Sequence, residues 1–230
     1  MLALEHLSAV ARALSAIQER RFVFAGASIL PLLLNDPHAP SLRETFDVDV
    51  VVNVLTYGQW YHLRPRLYEC GFRERMDVYE HNPRNCLFYL EDLQVDIMPM
   101  EPNVLGFASQ WLAVGFEQAE SHVLPDGQEI LVLSVPCFLA AKLEAFQQRG
   151  WRDILMSKDL RDIVSLLDGR LQPVSDIGMG PLDIRLYVAD ATKSLLGNSR
   201  ILDLIPDLLR DPTRERRFLN VMDELAERPF

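Results

Sequence analysis

This chain is poor in the residues that mark secreted, zinc-binding or membrane proteins. Its three cysteines, Cys70, Cys86 and Cys137, are odd in number, widely spaced and form no C-x-x-C pair, which argues against a disulfide framework and a cysteine zinc site. The five histidines (His6, His38, His62, His81 and His122) include no H-x-x-x-H spacing, so a zinc enzyme has no ligand set here. Neither a G-x-S-x-G elbow nor a P-loop occurs, and hydrolase and P-loop NTPase readings lack support. The longest apolar runs, "SILPLLL" and "ILVLSVPCFLAA", fall short of the roughly 20 residues a bilayer-crossing helix takes, so no membrane partner is expected. The opening "MLALEHLSAVARALSAIQER" is not a basic-then-apolar leader. A soluble cytoplasmic protein is the expectation.

Positive charge is also scarce. Lysine and arginine number 23 against 33 acids, a net charge of −10, which argues against general nucleic-acid binding. One local patch stands out: Arg64, Arg66, Arg73, Arg75 and Arg84, interleaved with Tyr61, Tyr68, Phe72 and Tyr79. It reads as a solvated face or as a surface for an RNA backbone.

With 49% hydrophobic residues over 230 positions, the chain has enough for a full core. Leu4, Leu7, Val10, Leu14 and Ile17 recur at helical spacing. "RFVFAG" reads as a strand ending in Gly26, and Ser28 as the cap of a following helix, "ILPLLLN". "TFDVDVVVNV" is a strand, and "YGQWYHLRPRLYECGF" a helix ending near Gly71. Irregular or strand-like chain then runs through "MDVYEHN", before a hairpin, "CLFYLEDLQVDIMP", turning near Glu91 and Asp92. Residues 123 to 133 suggest a second hairpin turned by "PDGQ". From Ser134 onward the pattern is helical: 134–150, a helix between Ser157 and Gly169, then about 182–196, 200–210 and 213–227. The expected organisation is a mixed α/β domain over 1–133 followed by a helical domain over 134–230.

The strand "TFDVD" holds the most informative residues. Positions i and i+2 of a strand share a face, so Asp47 and Asp49 project together, with Phe46, Val48 and Val50 on the other side. Two neighbouring carboxylates repel unless a cation neutralises them. Mg2+, a hard ion held by carboxylates and substrate phosphates, suits the pair. Asp96 in "LQVDIMP" is a third lone acid in an apolar strand. Three inward carboxylates on neighbouring strands suit two-metal phosphoryl chemistry; the plainer alternative is a polar face on an edge strand. Upstream, Gly26 lets backbone approach a phosphate, and a helix start there favours an anion.

These residues together resemble the DNA polymerase β-type nucleotidyltransferase superfamily: a Gly-x-Ser start, a helix, Asp-x-Asp, then a later strand aspartate. More narrowly, "GAS" (26–28), "TFDVD" (45–49), "AKLEAFQQR" (141–149) and "KDLRD" (158–162) resemble the AbiEii-type toxin family over about residues 20–170. Ala27 departs from the usual Gly-Gly or Gly-Ser. The resemblance implies an α+β nucleotidyltransferase fold, with a small mixed or antiparallel sheet flanked by helices and followed by a helical region. It implies Mg2+ or Mn2+ at a two-metal site held by Asp47, Asp49 and Asp96, the last a ligand or the base. It also implies triphosphate binding by Gly26 and Ser28, with Lys142 reaching the phosphates or nucleobase and Asp159 positioning Lys142 or the nucleotide; Asp162 is expected to be structural. The implied partners are an NTP, an acceptor such as tRNA or other RNA, and an antitoxin protein. Two alternatives stand beside this: a small-molecule acceptor, as for antibiotic-modifying enzymes, and a non-catalytic nucleotide- or protein-binding module on the same fold.

Overall fold

A computed structural model describes residues 2–74, 86–105 and 109–227. The chain divides into two compact units, Met1–Leu32 with Arg43–Ser134, and Leu33–Leu42 with Val135–Phe230. Among the described residues no helix is long and apolar enough to cross a membrane.

The first part of the chain holds α1 (Leu2–Leu14), β1 (Phe22–Ala25), a 3-10 turn (Ala27–Ile29) and α2 (Leu30–Leu33). Next come β2 (Asp47–Val52), α3 (Tyr57–Glu69), β3 (Phe72–Arg73), β4 (Leu87–Leu90) and β5 (Leu93–Pro99). α4 (Gln110–Glu117), β6 (Glu120–Val123) and β7 (Glu129–Val132) complete the first unit. The strands form one seven-stranded sheet in the order β3-β4-β5-β2-β1-β7-β6. β2, the most β-branched segment, sits at its centre, antiparallel to β1 and parallel to β5. Central strands are covered on one face and partly on the other, which is what a Val-rich run with two alternate aspartates can satisfy. Both expected hairpins are present, β4–β5 through Glu91 and Asp92, and β6–β7 around Gly127 at φ 86°.

Three local features differ from expectation. Ser28 does not cap a helix: it lies inside the 3-10 turn, whose N-cap is Gly26 at φ 66°. Its hydroxyl donates to the Ala25 carbonyl at 3.3 Å instead. Phe46 precedes β2 and is 63% exposed, so it does not share the buried face of Val48 and Val50. α4 carries no strong period over its eight residues; it starts at Ser109, whose side chain accepts from the Trp111 N–H at 3.2 Å.

The second unit contains α5 (Val135–Arg149), α6 (Lys158–Asp168), α7 (Pro173–Gly178) and α8 (Leu182–Leu196). α9 (Ser199–Leu202), α10 (Ile205–Leu209) and α11 (Pro212–Glu227) follow. The single helix expected over 200–210 is two short ones, because Pro206, at the start of α10, has no N–H to continue a ladder. α6 is punctuated as its sequence suggests, with the Ser157 side chain accepting from the Leu160 N–H and Gly169 at its end. Leu160, Ile163, Val164 and Leu167 are buried along one side, where α5 and α11 pack.

An arginine-centred network ties the 33–42 segment into this unit. Arg214 pairs with Asp168 at 2.9 Å and with Asp36 at 3.1 Å, and donates to the His38 carbonyl at 3.1 Å. Arg217 also reaches Asp36, at 3.3 Å, while the Asn35 and Asp36 N–H groups donate to the Gly169 carbonyl. The acid partners hold the Arg214 guanidinium above its ordinary pKa, outweighing the opposing effect of burial.

Candidate active site

The acidic face of the first unit is built by register. Asp47 and Asp49 are half-buried and alternate with Val48 and Val50, which have no exposed surface. The parallel pairing of β2 with β5 sets Asp49 directly beside Asp96 and Asp47 beside Gln94. Paired residues on neighbouring strands share a face, so the three expected acids lie on one side of the sheet. Val95 and Ile97 are fully buried on the other.

On its opposite edge β2 pairs with β1, which brings Ala25 against Asp49 and Gly26 next to it. A Cβ built on Gly26 would lie 1.7 Å from Asp49 Oδ2 and 2.6 Å from its Cγ. The glycine is therefore required twice over, by its positive φ and by the carboxylate occupying the space a side chain would need. Ser28, only 1% exposed, is turned onto the Ala25 carbonyl.

Thr45 is a further participant. It is buried, and its hydroxyl donates to Asp47 Oδ1 at 2.5 Å, the length of a charge-assisted O–H···O bond. Its sequence signal was the same parity as Asp47 and Asp49, two residues upstream of the pair. Asp47 is thus directed at Thr45, and Asp49 at Gly26. Among the described residues, no three His, Cys, Asp or Glu side chains converge as they stand into a group able to hold a metal ion. Carboxylate oxygens are donors of the kind Mg2+ takes, but Asp47 and Asp49 are directed at separate neighbours.

Lys142 and Asp159 come together in the second unit, on α5 and α6. The closest partner of Lys142 is Asp162: Nζ lies 2.7 Å from Asp162 Oδ2 and 3.5 Å from Asp159 Oδ1. Asp162 has no exposed side-chain surface. Phe138, one turn back on α5, presents its ring 5.7 Å from the Lys142 ammonium. Arg149 grips Asp159 through two bonds, Nε to Oδ2 at 2.7 Å and a terminal nitrogen to Oδ1 at 2.9 Å. Burial pushes the Asp159 carboxyl up, but the Arg149 bonds and the Lys142 charge outweigh it and hold the group below the usual carboxylate range. The i, i+3 spacing of Asp159 and Asp162 is a signal only that the two share a face of α6. Arg149 carried no such signal.

Among the described residues, the arginines of the basic patch are engaged within the protein. Arg64 is paired with Glu74 at 2.6 Å, and Arg66 with Glu69 at 2.6 Å and Glu19 at 3.3 Å. Arg73 donates to the carbonyls of Tyr68 and Phe72, and the Phe72 ring is fully buried. Arg75, Tyr79, Arg84 and the segment "MDVYEHN" lie outside the described residues.

No protein-family model matches the sequence, and no curated protein matches it in sequence. Solved structures are similar in fold. One is the crystal structure of an antigenic nucleotidyltransferase-like protein from Paracoccidioides brasiliensis, 20% identical, covering 72% of this chain and 75% of that one at a TM-score of 0.45. Another is the solution structure of the antibiotic-resistance factor ANT(2'')-Ia, 12% identical, covering 84% of this chain and 93% of that one at a TM-score of 0.50. A mixed sheet flanked by helices, with Asp-x-Asp on its central strand, has the fold of the nucleotidyltransferases.

Proposed function

We propose that the protein transfers a nucleoside monophosphate from an NTP to an acceptor hydroxyl. The observation that carries this reading is the in-register pairing of Asp49 with Asp96, with Asp47 on the same face and Gly26 against it. In this reading Asp47, Asp49 and Asp96 hold Mg2+ or Mn2+. When bound there, such an ion neutralises triphosphate charge and makes the acceptor oxygen a better nucleophile. Gly26 and the 3-10 turn that follows it take the phosphates through backbone, since the Ser28 hydroxyl is engaged with Ala25. Asp96 receives the hydroxyl proton as the acceptor oxygen bonds to the α-phosphorus and pyrophosphate leaves. In the helical unit Lys142 is held by Asp162 and Asp159.

A small cationic acceptor fits the observations better than an RNA backbone. The chain carries a net charge of −10, and Arg64, Arg66 and Arg73 are already engaged within the protein. The fold neighbour ANT(2'')-Ia is itself an antibiotic-resistance factor. The second reading is an AbiEii-like toxin that modifies tRNA or another RNA and is restrained by an antitoxin. Its support is the Lys142–Asp162 pair, which joins the two helical motifs of that resemblance.

The test incubates the protein with each α-32P-labelled NTP, Mg2+ and either a panel of aminoglycosides or a cell lysate. Asp47→Asn and Asp49→Asn proteins run in parallel. Label that requires both aspartates establishes transfer, and its sensitivity to RNase separates the two acceptors. Absence of label with all four NTPs from folded protein overturns the enzymatic reading in favour of a nucleotide- or protein-binding module.

A further inference from the structure

β6 closes one end of the sheet, separated from the acidic strand β2 by β1 and β7. Its antiparallel pairing with β7 sets His122 opposite Ile130 and Val123 opposite Glu129. Just beyond, the Leu124 N–H donates to the Gln128 carbonyl at 2.8 Å. Bonded and unbonded pairs alternate along such a ladder. Glu120 and His122 therefore bond toward β7, while the N–H and C=O groups of Ser121 and Val123 point outward. Among the described residues these outward groups meet no backbone partner. Pro125 has no N–H to offer, so the open edge ends at Val123. Val123 is 69% exposed, and β6 carries neither lysine nor proline, which commonly blunt an edge.

The charge around this edge is negative. Glu117 at the end of α4, Glu120 on β6 and Glu129 on β7 are all exposed. Of the nearby cations, Arg12 is engaged with Asp126 in the hairpin turn at 3.2 Å, and Arg21 lies over the Phe116 ring of α4. A second copy meeting the same edge would double that negative charge across the contact, whereas a cationic segment neutralises it. We propose that β6 is a docking edge for an extended segment of a partner protein in which basic and apolar residues alternate, added to the sheet as a further strand. Main-chain bonds to Ser121 and Val123 supply the affinity, and alternate side chains the specificity. One set of partner side chains shares the face of Val123 and the other the face of Glu120, so apolar residues fit beside the first and cations beside the second. The edge does not depend on the chemistry of the acidic face.

The experiment titrates the 15N-labelled full chain with a short peptide of alternating lysine and valine, following amide shifts and hydrogen exchange. Two control peptides run beside it: the same sequence with its backbone nitrogens methylated, and an alternating glutamate–valine sequence. The lysine peptide is expected to shift the Ser121 and Val123 amides and slow their exchange, with both controls about tenfold weaker or more. Val123→Pro removes an outward donor and leaves the β7 ladder intact, as a proline on an edge can. It is expected to weaken binding by about tenfold, Glu120→Lys by a similar factor, and Val123→Thr, which keeps the donor, hardly at all. Unchanged exchange at Ser121 and Val123 with millimolar lysine peptide overturns the docking edge. Equal binding of the methylated peptide overturns strand addition, and equal binding of the glutamate peptide overturns the cationic preference. Self-association of the wild type that Val123→Pro abolishes makes a second copy the occupant and overturns the proposed partner.

Discussion

The two units handle buried acid in opposite ways. In the helical unit the acids are matched to cations: Asp162 to Lys142, Asp159 to Arg149 and Lys142, Asp168 and Asp36 to Arg214. On the sheet, Asp47 is met by a neutral threonine hydroxyl, and Asp49 fits into space left by a glycine. A buried carboxylate closed by arginine is spent on structure, because removing either partner strands a charge in low dielectric. A half-buried carboxylate held by a hydroxyl keeps its negative charge available to an incoming cation. The difference teaches where chemistry is to be sought: on the face where Asp47 is oriented by a neutral hydroxyl.

Changing Asp49 to Asn tests that contrast most strongly. Nucleotidyl transfer is expected to fall by more than about 100-fold, the upper end of the loss seen for outer-shell partners, while the urea midpoint stays near wild type. A large fall in stability with activity per folded molecule retained would reverse the assignment. Arg214→Ala should behave the other way. It strands Asp168, whose side chain is 1% exposed, and a destabilisation of about 3–5 kcal/mol is expected by urea denaturation. A loss below about 1 kcal/mol, the scale of a surface pair, would place that network among the solvated ones.

Gly26→Ala is expected to have a smaller effect on stability and a clear one on the site. The positive-φ extended backbone of Gly26 alone costs about 1–3 kcal/mol with a Cβ present, and Asp49 must move to clear the methyl group. Reduced Mn2+ affinity with a modest drop in melting temperature is the expected pair of readings. Unchanged affinity would mean that Asp49 does not need its present seat.

The smallest effect is a dependence on pH. The folded Asp159 carboxyl titrates below its unfolded value, for the reasons given above. The unfolded chain therefore binds the proton first, and stability rises with pH across this window. Its contribution is complete above the unfolded value of about 3.9 and is lost as pH falls through the lower folded value. Acid unfolding of Asp159→Asn should show a shallower slope below about pH 4 than wild type. An identical slope would remove Asp159 as a contributor.

Much of this was legible in the chain itself. Strand parity placed Asp47 and Asp49 on one face with Val48 and Val50 behind them, and that alternation needs only the period of an extended backbone. Ser157, Gly169 and the apolar stripe between them defined α6, because capping and helical spacing are local. Less legible were features that depend on a partner. Ser28 looked like a helix cap, but its hydroxyl found a nearer carbonyl within a 3-10 turn. Asp162 was read as structural, and its partner, Lys142, became visible only with α5 packed against α6. The arginines at 64, 66 and 73 looked like an open basic surface until their neighbours were known.

What the sequence determined by itself is the set of candidate acids, their shared face and the α/β-then-helical order, since each follows from periodicity and residue type along a few consecutive positions. Only the tertiary structure decided that β5 pairs with β2 in parallel, so that Asp96 stands beside Asp49. It also decided that Gly26 packs on the Asp49 carboxylate and that Lys142 turns to Asp162. Those contacts join residues far apart in the chain, and a strand's period fixes which way its side chains point without fixing which strand lies beside it.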